Sequence, residues 1–301
     1  MLYAVLDPHF NVVKSHQNQN NEIGVPLTLL EATADTEIVL VEMGMRKPTD
    51  IKVLSQIVRP DIGILTGIGY SHYEFFRNQR QLAQSKANLF LPALNWQTET
   101  RTAFICHHSD YYELLRDKAK SVGFSVFGYG GATAFEDNLA ICFSVGHHFG
   151  LSDAQIKAGL DDYKASEHRL DRIKLGSVSV VDDTYNANPH GVRHALSYLK
   201  TCRGRKLAVL GDMKELGKVS DREHQALLEP IMDAGVDILF TLGPAFKDCH
   251  FDPIDHTHFK SIDALKTILA QELKAGDVVL LKASRSHQLD QLIPFLKEHL
   301  Q

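Results

Sequence analysis

The chain has 301 residues, 44% of them hydrophobic and 23% charged, with a formal net charge of −5. That length suits two domains of about 150 residues each, and the balance is that of an ordinary soluble globular protein. A mild acidic excess leaves no concentrated basic face, which excludes a nucleic-acid footprint, and no run approaches the roughly 18 apolar residues of a membrane span.

In chain order, the opening MLYAVLDPHF has neither a basic stretch before a long apolar core nor a small-residue cleavage site, so the chain reads as unexported and cytoplasmic. From Asn18 to Leu30, NQNNEIGVPLTLL reads as a polar loop that presents side-chain amides and then enters a helix through a Gly-x-Pro turn. The short β-branched runs IVLVEM, IGILTGI, TAFIC and FSVFG follow, separated by helix-like segments such as QLAQSKANLFLPAL and DYYELLRDKAK. Such alternation is the α/β signature of a mainly parallel sheet. After Phe127 the rhythm changes, and ATAFEDNLAICFSVGHHFG and SDAQIKAGLDDY read as two consecutive helices. The polar stretch KASEHRLD marks a domain boundary, giving domains 1–166 and 167–301. A second alternation begins there: VSVVDDTY, a helix from Pro189, KLAVLGDM, a helix from Ser220, DILFTLG, a helix from Ser261, DVVLLKA and a last helix from about Ser286. Cys106, Cys142, Cys202 and Cys249 lie far apart with no CxxC pair, which favours reduced thiols over disulfides or a metal cage.

Sheets of this kind often handle nucleotides. The nearest approach to a phosphate loop, GDMKELGKVS, places five residues rather than four between Gly211 and Gly217 and has Val219 where a Mg²⁺-binding hydroxyl is needed. GIGYSH at Gly67 and GYGGAT at Gly128 lack the third glycine of a dinucleotide fingerprint, and a tight turn explains each. Glu42 and His72 follow successive strands and would emerge at the carboxyl edge of a parallel sheet. There they suit Mg²⁺ or phosphate, or else simply cap a turn and a helix. Lys86 alone reads as solvated surface.

Taken together, VEMGM at Val41, TGIGYSHYEFF at Thr66, QSKANLF at Gln84, DDTYNANP at Asp182, AVLGDMKELG at Ala208 and VLLKASRS at Val279 occur in the order and spacing of one family. The chain resembles the Mur ligases over nearly its whole length, and within them the branch that adds D-alanyl-D-alanine to UDP-N-acetylmuramoyl-tripeptide. The resemblance implies a P-loop-type central domain, here truncated, with a mainly parallel sheet, followed by a C-terminal Rossmann-like domain. It implies ATP and Mg²⁺, and a reaction in which a carboxylate becomes an acyl phosphate before an amine attacks it. By similarity Glu42 and His72 would hold Mg²⁺, and Lys86 would react with CO₂ to give a carbamate that does the same. Asn138 corresponds to a residue near the adenine. Arg169 and Asp183 correspond to residues near the γ-phosphate and ribose, with Tyr185, Asn186 and Asn188 completing that loop. Lys282, Ser284 and Arg285 would face the acidic precursor or the incoming amine, and Asn20 and Asn21 the muramoyl peptide.

The sequence also departs from the family. In its relatives a strand, a Gly-rich phosphate loop and a further domain precede the helix into which Met1 falls, and no later segment of these 301 residues replaces that loop. Gly67 stands for an asparagine, Asn88 for a glutamate and Ala283 for a glycine; Cys106 or His107 occupies the place of another asparagine, and a set of strands between Gly131 and Asn138 is absent. Loss of a preorganised phosphate cradle removes many orders of magnitude in rate. The expectation is therefore a Mur-ligase-like protein impaired as a lone chain. The alternatives are a non-catalytic binding or scaffold paralogue, and a ligase completed by a partner chain. Loss of an interior strand should expose a sheet edge, which leads to the expectation of a homo-oligomer or a partner segment sealing it.

Overall fold

The computed structural model describes residues 1–70, 72–91, 100–163 and 167–300. Its contacts separate into two units, Met1–Ile68 with Phe75–Lys164, and Gly69–Glu74 with Ala165–Gln301. Residues 164–166, at the sequence boundary, and residues 92–94 of the QLAQSKANLFLPAL segment lie outside the described ones.

The first unit begins with α1 (Leu2–Leu6), β1 (Val12–Lys14), α2 (Gly24–Leu30), β2 (Ile38–Leu40) and α3 (Asp50–Val58). It continues with β3 (Ile62–Leu65), α4 (Gln79–Lys86), β4 (Arg101–Cys106), α5 (Tyr112–Ser121) and β5 (Phe124–Tyr129). The two consecutive helices are α6 (Ala134–His148) and α7 (Asp153–Asp161), each opened by a reciprocal capping box, Thr133 with Glu136 and Ser152 with Gln155. Alternate residues of β4 sort the layers. Ala103 and Ile105 join Ile51 of α3, Leu82 of α4 and Leu115 of α5 in one core. Phe104 and Cys106 instead join Val5 of α1, Ile141 of α6 and Ile156 of α7. Helices thus cover both faces, which is why β4 is buried throughout and reads as an apolar run.

All strand pairs in this unit are parallel, but among the described residues they form two sheets, β1 with β2 and β3–β4–β5. Val12, Ile38, Ile62 and Ile64, drawn from both sheets, nevertheless pack on the same α1–α6–α7 core. β2 and β3 therefore each present an edge to which no described strand is paired.

The second unit contains β6 (Asp171–Leu175), β7 (Val178–Asp182), α8 (Pro189–Thr201), β8 (Lys206–Gly211), α9 (Ser220–Gln225) and α10 (Leu228–Asp233). After them come β9 (Ile238–Leu242), β10 (Asp255–Phe259), α11 (Ile262–Glu272), β11 (Val278–Lys282) and α12 (Leu292–His299). Six strands form one sheet in the order β10-β9-β8-β11-β7-β6, parallel except for the β6–β7 hairpin. Its two faces carry separate cores, one with Leu196 of α8 and Ile231 of α10, the other with Leu265 of α11 and Leu292 of α12. Asn188 caps α8 and Ser261 caps α11, where Pro189 and the polar pattern placed their starts.

Two elements differ from expectation. The helix from Ser220 is split, because Pro230 lacks an N–H and its ring disfavours the carbonyl four residues earlier, Ala226, which accepts from Arg193 instead. The last helix begins at Leu292 rather than Ser286, since Gln288 adopts φ +51 between two 3₁₀ turns. No helix among the described residues is long and apolar enough to cross a membrane, and all four cysteines are free.

Candidate active site

The five parallel strands of the second unit, β7 to β11, end at one carboxyl edge, and the motif residues collect there. β11 delivers Lys282, only 4% exposed, whose Nζ donates to Asp183 Oδ2 at 2.5 Å and to the Asn186 carbonyl at 3.0 Å. Burial pushes the Asp183 carboxyl up and the Lys282 ammonium down, while their mutual attraction opposes both shifts. His194 of α8 also faces Asp183, and burial lowers its pKa.

Beside this pair, Asp182 accepts from Thr184 Oγ1 at 2.6 Å and lies 2.6 Å from His168 Nδ1. The His168 carbonyl in turn accepts from Tyr185 N at 3.1 Å, and the Arg169 guanidinium stacks 4.2 Å from the Tyr185 ring centroid. The HRL turn, with φ +63 at His168 and +53 at Leu170, is thereby docked on the DDTY loop. Arg169 and Tyr185 remain exposed, so a guanidinium on an aromatic face is presented to solvent.

Following β8, Asp212 is 1% exposed and accepts from Ala245 N at 3.0 Å and Lys214 Nζ at 3.0 Å, with His287 Nε2 at 3.5 Å. Burial pushes this carboxyl up, but His287 and Lys214 outweigh it and hold it below its ordinary value. Ser284 Oγ accepts from Lys214 N at 2.9 Å, and Met213 N donates to His224. Those backbone donors of GDMKELG are committed internally, so the segment is a structural loop rather than a phosphate cradle. It borders a cavity of about 230 Å³ lined in part by Glu74, Asp212, Lys214, Glu215 and Ser220.

The remaining sequence-derived residues fall as follows. Asn186 and Asn188 direct their side-chain oxygens to Ala187 N and Gly191 N, which makes them local turn and cap residues. Arg285 is exposed and ion-paired with Asp290 at 3.2 Å. His72, with φ +62, belongs to the second unit and pairs with Glu215. In the first unit, Asn21 Oδ1 accepts from Ile23 N and Gly24 N at the entrance of α2. Asn20 Nδ2 donates to Glu42 Oε1 at 3.0 Å. Glu42 lies two residues beyond β2 and is exposed. Its carboxylate, engaged by a neutral amide rather than a cation, has the chemistry a hard divalent ion requires. Lys86 donates to the Gly67 carbonyl at 2.9 Å, and burial lowers its pKa. Asn138 is exposed on α6. Among the described residues, no group of three or more His, Cys, Asp or Glu side chains is arranged to hold a metal ion.

Asp212, Lys214, Glu215, His168 and Asp182 were not singled out as site residues. The available signal was their position immediately after strands or within the motif segments, where a carboxyl edge collects polar groups.

Comparison with known proteins supplies the family. The Mur ligase middle domain matches residues 1–158, and the Mur ligase, glutamate ligase domain matches residues 168–285. The chain belongs to the Mur ligase family. Among relatives, UDP-N-acetylmuramoyl-tripeptide–D-alanyl-D-alanine ligase of Bacillus subtilis (strain 168) is 30% identical over 99% of this chain and 72% of its own length. The Escherichia coli (strain K12) ligase of the same name is 27% identical over 99% and 74%. Of solved structures, MurF ligase from Thermotoga maritima in complex with ADP matches with TM-score 0.85 and 25% identity, over 99% of this chain and 76% of that one. MurF from Acinetobacter baumannii matches with TM-score 0.89 at 22% identity, over 99% and 73%, a likeness of fold. In Mur ligase terms, the two matched domains correspond closely to the two units.

Proposed function

We propose that the chain handles the nucleotide and the amine in a ligase that adds D-alanyl-D-alanine to UDP-N-acetylmuramoyl-tripeptide during peptidoglycan synthesis, and that these 301 residues alone do not form the acyl phosphate. The first half rests on the convergence of DDTYNANP, GDMKELG and KASRS at one carboxyl edge, together with relatives that carry that name. In the reaction, a carboxylate oxygen of the muramoyl peptide attacks the γ-phosphorus of ATP and ADP leaves. The amine of the dipeptide then attacks the acyl carbon and phosphate leaves. Exposed Arg169, oriented by Tyr185 and the His168–Asp182 contact, is suited to the phosphoryl oxygens. Lys282 is neutralised by Asp183 and fixes the DDTYNA loop. Mg²⁺, when bound, would neutralise charge on the phosphates, with Glu42 among its holders. Lys86 joins it in this reading as a carbamate: its neutral amine adds to CO₂ and releases a proton, and burial favours that neutral amine.

The second half rests on the divided sheet of the first unit. The helices of the successive crossovers, α3, α4 and α5, lie on one face, and α1 lies on the other. Because crossovers between parallel strands are right-handed, a helix on the opposite face runs the chain back in the opposite direction. A strand feeding α1 would therefore sit on the β2 side of β1, and the open place there is between β2 and β3. That is also where the chain order switches direction, the position at which such sheets bind phosphates. This favours a ligase that needs a strand and phosphate loop from outside these residues over a scaffold that never used them.

The test is phosphate release by the purified 301-residue protein, free of contaminating ligase, with ATP, Mg²⁺, the muramoyl tripeptide and D-alanyl-D-alanine. Background release is expected. Turnover dependent on both acceptor and dipeptide would overturn the impairment, while leaving the substrate assignment standing.

A further inference from the structure

The helices α2 and α3 pack side by side in the first unit. α2 turns Val25 and Thr28 inward, and α3 turns Ile51, Leu54 and Ser55 inward. Away from the core they show Ile23, Leu27 and Leu30, at 68, 47 and 80% exposure, and Val53 and Ile57, at 44 and 39%. The spacings, i, i+4 and i+7 on one helix and i, i+4 on its neighbour, make each a continuous stripe rather than scattered apolar residues. Contiguous exposed apolar surface of this kind marks an interaction site.

Charge divides the patch. Exposed Glu22 and Glu31 flank the α2 stripe, whereas exposed Lys47 and Lys52 flank the α3 stripe. Glu31 also pairs with exposed His16 at 2.9 Å, a contact open to solvent. A membrane surface would call for cations on both sides, and a patch of single sign would call for a foreign partner of the opposite sign. A patch acidic on one half and basic on the other complements itself under two-fold rotation.

We propose that this α2–α3 face is where a second copy of the chain docks, about a two-fold axis running along the groove between the helices. Both helices follow parallel strands and so run in the same direction. That axis therefore lays α2 of one copy over α3 of its partner, end matched to end. Leu27 and Leu30 meet the Val53 and Ile57 stripe, and Glu22, two residues before α2, comes to the end of the interface that holds Lys52, in the first turn of α3. The contact is isologous, so each charge pair occurs twice.

Sedimentation equilibrium of the 301-residue protein across the micromolar range tests this. A monomer–dimer equilibrium is expected, weakened by salt because the flanking pairs are exposed. Leu27→Asp with Leu30→Asp, both solvent-facing and checked for unchanged circular dichroism, should raise the dissociation constant by about tenfold or more. Glu22→Lys and Lys52→Glu should each weaken association, and the two together should restore it. A monomer at every concentration, a dimer indifferent to the leucine changes, or a charge-swapped double variant no tighter than either single one would each overturn the proposal.

Discussion

Lys86 shows how burial turns an unremarkable residue type into a candidate reagent. In the sequence it is one lysine on a polar helix, and in the fold its ammonium donates to the Gly67 carbonyl, with no carboxylate partner among the described residues. Burial disfavours its ammonium, so the folded chain releases the proton at lower pH than the unfolded chain does. Between the folded pKa and the ordinary lysine value of about 10.4, the unfolded state holds more protons, so stability rises with pH. Below that window the buried ammonium is a constant cost. In CO₂-free buffer, urea midpoints should therefore climb as the pH rises toward the ordinary lysine value, relative to Lys86→Met, and parallel profiles would show that the amine is not desolvated. Lys282 is the contrasting case, a buried lysine with a carboxylate partner, where truncation would strand Asp183 and cost about 3–5 kcal/mol.

At the scale of elements, close approach of backbones decides what can change. Gly159 of α7 lies against α1, where an added Cβ would stand 2.5 Å from the Ala4 carbonyl oxygen and 2.7 Å from Val5 Cα. Backbone cannot yield as a side-chain tip does, so Gly159→Ala should lever α1 from the core and cost about 1–3 kcal/mol, read from chemical denaturation. An unchanged midpoint would mean that α1 is not docked there. Elements with strong local signals were legible in advance, among them α6, α7, α8 and α11, each with a cap and an apolar stripe. β6 was missed although LGSV offers a two-residue hairpin turn with Gly176 at φ +56. β10, DHTHF, carries little apolar patterning. It is a strand because β9 pairs with it, and because His256 and His258 share the Thr241 hydroxyl at 2.8 and 3.1 Å.

Across the whole molecule the two units differ in how completely their sheets are paired. Six strands with a core on each face make the second unit self-sufficient, whereas the first holds its two-stranded and three-stranded sheets together through one shared helical core. Hydrogen exchange should accordingly be fastest among strands at residues 12–14 and 38–40 and slowest in β8 and β11, which pair on both sides. Equal protection of β1 and β8 would contradict the open-edge account. The sequence by itself determined the α/β class, the family resemblance and the segments that bear the motifs, because these depend on local periodicity and on residue order. Only the tertiary structure decided which motif residues are committed to backbone caps, such as Asn21 and Asn188, and which face solvent, such as Arg169 and Glu42. It also decided that Lys282 is matched by Asp183, 99 positions away. Pairings of that kind are set by strand order and by the burial that strand order imposes, and neither is written in any stretch of neighbouring residues.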